Sequence, residues 1–290
     1  MCALKRTILV LALLCSAVSL HAQRQTSLLW KISGNGLRQP SYIYGTVHSY
    51  DKRAFVFRDL VDSYMRTCSA FGMEIKLDDF DPFSLLGQIQ MPGDTTLQML
   101  VGDSAFHVLE TVMRDSFSIE LSMFARMKPM FLVGLMQMPT GDGDQYSTFL
   151  DEYLMDNAKK ADQELIGIET IAEQLHAVDL VPLKEQARML LEETTSNDSS
   201  GMQLDDLLNV YQTGNLDSLY SMYQKGELSN EFNKALILDR NHRMADRIDS
   251  IAHVKSIFVA VGALHLPGPE GVLNLLKGKG YEITPLWKKR

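Results

Sequence analysis

Four short segments of the chain share one design: an apolar run, a glycine, and then a side chain able to bind a metal or move a proton. They are Gly45-Thr46-Val47-His48, Gly72-Met73-Glu74, Gly167-Ile168-Glu169 and Gly262-Ala263-Leu264-His265. A polar side chain at the end of a buried strand must be hydrogen-bonded, open to a cleft, or coordinated, because burying it unpaired costs free energy. In α/β sheets the carboxyl ends of the strands border the ligand crevice. Glycine just before the polar residue permits a sharp turn or close approach of a neighbour. Two imidazoles with one or two carboxylates make a nitrogen–oxygen donor set suited to Zn, Mn, Co or Fe. The two histidines lie in opposite halves of the chain, so no local spacing enforces a metal site. By the residues alone, each histidine reads equally as a satisfied core or loop side chain.

The elements that must position these residues follow from pattern. Segments 27–33 and 41–48 read as a hairpin closed by Gly34-Asn35-Gly36-Leu37-Arg38-Gln39-Pro40. A helix is expected over 56–67, with Val56, Leu60 and Tyr64 on one face. Strands are expected at Ser69–Leu77, Glu164–Thr170, Ser256–His265 and Tyr281–Leu286. Between them the chain reads as helical: 95–117, 120–138 with Pro129 as a break or first-turn residue, 147–163, 182–194, 203–224 and 229–253. Loops are expected at 139–145 and 195–201. The fold class is therefore α/β: a β-sheet core built from strands near both ends of the chain, flanked and capped by helices from the middle, about 95–255. Alternation places Tyr42 and Tyr44 on the same side of their strand as His48. The acidic stretch 78–82 reads as a solvated loop.

The chain has 290 residues, 46% of them hydrophobic and 22% charged, with a net charge of -8. These values describe a globular protein with ample core. No concentrated basic face is present, so nucleic acid is not an expected partner. Residues 1–22 have the form of a secretory signal: Lys5 and Arg6, an apolar run from Ile8 to Cys15, and small residues ending at Ala22. The mature domain is then 23–290, exported and periplasmic, with lipidation at Cys15 as the lesser alternative. No later run is long and apolar enough to span a bilayer. Cys68 is the single cysteine left after the leader, and reads as a buried, inert thiol. His107, His176, His242 and His253 lie in helical patterns without the glycine design and read as surface or packing residues.

Segments 28–48, 167–175 (GIETIAEQL), 238–248 (LDRNHRMADRI) and 259–286 (VAVGALHLPGPEGVLNLLKGKGYEITPL) together resemble the TraB/GumN family, a Tiki-like superfamily of metal-dependent proteases related to the erythromycin-esterase-like and ChaN-like proteins. The resemblance covers nearly all of the mature chain. It implies that His48, Glu74 and His265 ligate a divalent metal (Mn, Co or Zn). It implies that Glu169 is a further ligand or the general base. It also implies that Arg240 faces the site to stabilise an oxyanion or hold a substrate carboxylate, with Asn241 donating a hydrogen bond beside it. The expected activity is hydrolysis of a peptide or small-molecule substrate. A metal-independent esterase-like hydrolase using a His/Glu base, and a non-catalytic periplasmic peptide- or haem-binding protein, stand as alternatives. The residues do not settle substrate or oligomeric state.

Overall fold

The computed structural model describes residues 27–76, 82–136, 146–195, 200–226 and 229–287. The leader expected at 1–22, most of the acidic stretch at 78–82, the loop at 139–145 and the middle of the loop at 195–201 lie outside the described residues.

Six strands form one mixed sheet: β1 (Leu29–Gly34), β2 (Ser41–Thr46), β3 (Ala70–Ile75), β4 (Glu164–Glu169), β5 (Ile257–Gly262) and β6 (Tyr281–Pro285), in the order β4-β3-β5-β2-β1-β6. β1 pairs antiparallel with β2, as the hairpin pattern requires, and with β6. β2, β5, β3 and β4 are parallel neighbours. Parallel strands covered on both faces need apolar side chains at every position. β2 is buried throughout, and β5 is buried from Ile257 to Val261. Because the four strands run the same way, their carboxyl ends share one edge. All four glycine modules end there.

Helices Arg58–Met65 and Leu150–Lys160 pack on each other and against β2 to β5. Asp239–Ala252 and Val272–Gly278 also pack on each other and cover β4, β5 and β6. Their apolar faces join the sheet in one core that includes Trp30, Tyr44, Phe71, Phe258, Met244 and Ile248. A second apolar cluster, with Leu97, Leu109, Met113, Leu132 and Leu190, is built by helices of the middle alone. The helical middle is thus divided: residues 91–136 with Leu190 hold a core of their own, whereas Leu208, Tyr211, Leu216 and Leu219 belong to the core of the sheet. Among the described residues no helix is long and apolar enough to cross a membrane.

Several elements differ from the pattern reading. The expected helix over 95–117 breaks at Gly102 (φ +83°) into Leu97–Val101 and Asp103–Phe117, and that over 120–138 is a short helical turn at Leu121–Phe124 followed by Pro129–Met136. The expected helix over 203–224 is two, Ser200–Tyr211 and Leu216–Lys225, because Gly214 (φ +67°) takes the left-handed conformation and Asn215 caps a new start. Helices at Pro82–Gln88 and Ile171–Asp179 are additional to it. The second opens with a reciprocal Thr170–Glu173 capping box, a local signal visible in the sequence. The helix expected over 229–253 contains a π-helical turn, Lys234–Leu238, directly before Asp239–Ala252.

Gly45 shows what the glycine design does here. A Cβ at this position would lie 2.9 Å from both Ala263 Cα and Leu266 Cδ1. Its role is close approach, letting the turn after β5 fold over β2. Gly45→Ala should therefore overpack this contact and destabilise the protein by about 1–3 kcal/mol in urea unfolding.

Candidate functional site at the carboxyl edge of the parallel strands

Glu74 occupies the centre of the edge. Its Oε1 accepts the Gly262 N–H at 2.7 Å, and its Oε2 accepts from Arg240 Nη2 at 2.7 Å and Gln174 Nε2 at 3.2 Å. Burial works against an ionised Glu74. The neighbouring His265, Arg240 and His48, with the Gly262 N–H, more than offset it and hold the carboxyl at about 2.

Glu169 is buried beside it. Arg240 Nε reaches its two oxygens at 3.2 and 2.9 Å, and Arg240 Nη2 reaches Oε2 at 2.7 Å. Gln174 Nε2 lies 3.3 Å from Oε2, and Arg243 Nη2 lies 3.5 Å from Oε1. The third Arg240 nitrogen donates to the Leu236 carbonyl within the π-helical turn. Asp239 and Asp246, the surface partners an isolated arginine here would use, pair instead with Lys234 and Lys279.

His265 is 5% exposed and lies in a short helical turn after β5. Its Nδ1 is 2.7 Å from Asn241 Oδ1, and Asn241 Nδ2 donates to the Glu270 carbonyl at 2.8 Å. The second bond fixes the first. A carbonyl only accepts, so the Asn241 amide nitrogen faces Glu270 and its oxygen faces His265. His265 Nδ1 therefore carries the proton, and Nε2 of the neutral ring presents a lone pair, 3.9 Å from Glu74 Oε1. Burial lowers the His265 pKa to about 4 against the opposing pull of Glu74, so the ring is neutral at pH 7.

His48 follows β2 and is far more open, with its side chain 60% exposed. Its Nδ1 donates to Asp151 Oδ2 at 2.8 Å, and Thr46 Oγ1 donates to Asp151 Oδ1 at 2.7 Å. Asp151 sits in the first turn of helix Leu150–Lys160, where the helix dipole favours its charge. The charge of Asp151 raises the His48 pKa, an effect that water screens at this exposure. Here too Nδ1 is taken, and a cation would have to displace the proton that the raised pKa keeps on Nε2. Behind the motif, Tyr211 Oη donates to the Gly45 carbonyl at 2.8 Å and accepts from Tyr44 Oη at 2.8 Å. Tyr44 therefore braces the strand instead of lining a pocket, and Tyr42 packs against Tyr64.

The sequence-predicted residues thus gather at one edge, and three supports come in addition. Asp151 and Tyr211 carry no motif of their own, and Gln174 lies within the segment 167–175 but was not among the expected site residues. Arg240 and Asn241 face this edge and are bonded there to side-chain and main-chain neighbours. Among the described residues no three His, Cys, Asp or Glu side chains converge as a ready-made metal cage. The donor chemistry does fit a cation. An imidazole nitrogen and a carboxylate oxygen, both acceptors, lie 3.9 Å apart. Cys68 is buried and free, with its thiol pushed up to about 12 by burial.

A family model described as the TraB/PrgY/gumN family matches residues 28–285, and the chain belongs to that family. Among individual proteins, it is similar to metalloprotease TIKI2 of Danio rerio, 23% identical over an alignment covering 89% of this chain and 60% of that protein. It is likewise similar to metalloprotease TIKI2 of Xenopus tropicalis (22% identical, 89% and 59% covered) and metalloprotease TIKI1 of Danio rerio (23%, 89% and 62%). The chain spans about 60% of the length of these relatives. No solved structure matches it significantly.

Two outcomes follow from this geometry. The unfolded chain protonates histidine near pH 6.5 and glutamate near 4.3, whereas in the fold His265 holds out to about 4 and Glu74 to about 2. Over both windows the unfolded state binds more protons. Stability should fall as pH drops from about 6.5 to about 4 and again toward 2. Denaturant unfolding at stepped pH reads this, and Glu74→Gln should flatten the lower limb. Tyr211→Phe keeps the ring but leaves the Gly45 carbonyl without its donor. It should cost about 1–3 kcal/mol in the same assay.

Proposed function

We propose that this edge is the active centre of an exported, metal-dependent hydrolase acting on peptide bonds, with His48, Glu74 and His265 as ligands of one divalent ion (Mn, Co or Zn). The observation that carries the reading is the gap between His265 Nε2 and Glu74 Oε1: two acceptors held 3.9 Å apart, with the tautomer of the ring fixed by Asn241 and the charge of the carboxylate held by Arg240 and Gly262. Two acceptors held this close repel unless a cation lies between them. The metalloprotease names of the relatives support the same class.

A divalent ion in a nitrogen–oxygen set of this kind supplies Lewis acidity and makes water a nucleophile near neutral pH. The chain's own residues orient and hold. Asp151 and Asn241 keep the two Nδ1 protons in place, so that Nε2 is the ligating nitrogen of both rings, on His48 once its proton is displaced. Arg240 keeps Glu74 ionised and aimed. Glu169, whose oxygens are met by Arg240, Arg243 and Gln174, is in this reading a positioning residue that anchors Arg240, in place of the base or ligand expected from sequence. The leader at 1–22 is the support for export.

The test is elemental analysis of the purified mature chain after loading with Mn, Co or Zn and desalting. Wild type should retain about one equivalent, and His48→Ala and His265→Ala should retain none. Asn241→Ala and Asp151→Asn, which loosen only the supports, should weaken binding about 10–100-fold. A wild-type protein that holds no metal under any loading removes this reading and leaves the His/Glu-base hydrolase or the binder.

A further inference from the structure

Glu74 offers its two oxygens unequally. A carboxylate has about four lone-pair positions, two on each oxygen. On Oε2 both are met: Arg240 Nη2 donates at 2.7 Å and Gln174 Nε2 at 3.2 Å. On Oε1 the Gly262 N–H meets one at 2.7 Å, and no other donor reaches this oxygen among the described residues. The position that remains is therefore on Oε1, the oxygen 3.9 Å from His265 Nε2.

Arg240 does not close Oε2 alone. Its Nη2 fills one position and is shared with Glu169 Oε2, also at 2.7 Å. Gln174 fills the other. Its Nε2 carries two N–H bonds and stands between the carboxylates, 3.2 Å from Glu74 Oε2 and 3.3 Å from Glu169 Oε2. Carboxylate oxygens accept, so the amide nitrogen of Gln174 faces them and its carbonyl oxygen points away.

The amide is brought there by a helix start that Glu74 does not build. Thr170 and Glu173 form the capping box of helix Ile171–Asp179, and Gln174, the next residue, bonds through its own N–H to the Thr170 carbonyl at 3.2 Å. Arg247 grips Glu173 through two nitrogens, at 2.8 and 2.5 Å, and reaches the Ile168 carbonyl on β4 at 2.7 Å. Helix Asp239–Ala252 and β4 thus set where the Gln174 side chain begins.

A carboxylate with one oxygen to give holds an ion through one bond. With His48 and His265 it makes three protein ligands, the number usual at catalytic zinc sites. Zn suits imidazole and a low ligand number, whereas Mn suits additional carboxylate oxygens. Closing Oε2 withholds the oxygen that Mn would use.

We propose, resting on the metal reading above, that Gln174 is a positioning residue that confines Glu74 to a single donor oxygen, Oε1, and so tilts the site toward Zn and away from Mn.

The experiment compares the purified mature wild type with Gln174→Met, which keeps the length of the side chain and removes its donors. Gln174→Ala takes its place if thermal unfolding shows that Gln174→Met does not fold. Infrared difference spectra of zinc-loaded against metal-free protein, with isotope-labelled glutamate, report the two carboxylate stretches of Glu74. Their separation is wide when one oxygen binds and narrow when both do. Zinc and manganese affinities are measured in parallel by chelator competition. Wild type should give the wide separation. The variant should give a narrow one, and its preference for zinc over manganese should fall about tenfold. A narrow separation in wild type would overturn the inference and leave the metal site standing. So would a folded variant with the wild-type separation, whether it binds both ions as before or weakens them alike as mere scaffolding would. A wild type that takes up neither ion removes the metal reading and this inference with it.

Discussion

The Arg240 guanidinium, buried between Glu74 and Glu169, is the interaction on which the arrangement of the edge depends. It donates to both carboxylates at once, and a buried guanidinium would be left without counter-charges if they were removed. The three charges also tie three elements together, since β3, β4 and the helix Asp239–Ala252 each contribute one. The same helix places Asn241 one residue on, against His265. Strand β5 thereby becomes part of the set without touching the arginine.

The two histidines share a motif but not an environment. His265 is enclosed, neutral, and steadied by an amide that carries no charge. His48 is open to solvent and steadied by a carboxylate. A buried ring paired with a neutral amide keeps its lone pair at the cost of low basicity, whereas an exposed ring beside Asp151 gains basicity and gives up enclosure. One side of the edge is therefore enclosed, and the other faces the solvent from which a ligand must arrive.

Much of this was legible in the sequence because it is local. Each glycine-ended apolar run reads as a buried strand with a polar terminus, and four such runs define a parallel set whose ends must meet. Asp151 was not legible. A carboxylate in an amphipathic helix reads as solvated surface, and only the packing of Leu150–Lys160 beneath β3 and β4 brings it to Thr46 and His48. Tyr211 was hidden for a related reason: the segment around it keeps helical periodicity straight through Gly214, so nothing marks the helix end that aims its hydroxyl at Gly45. The neighbours of Arg240 and Asn241 come from distant strands and turns. Their residue types suggested donors at the site, and only tertiary contacts show which groups they meet.

Cys68 gives the fold one more property. Among the described residues it is the sole cysteine, and it lies sealed beneath the sheet. Among the described residues no disulfide staples the fold, so their covalent connectivity is the same on either side of a membrane. The thiol–disulfide poise of a compartment has no hold on whether the strands find their order. A chain built this way can reach its native state under oxidising or reducing conditions alike, and needs no isomerase to correct a wrong pairing.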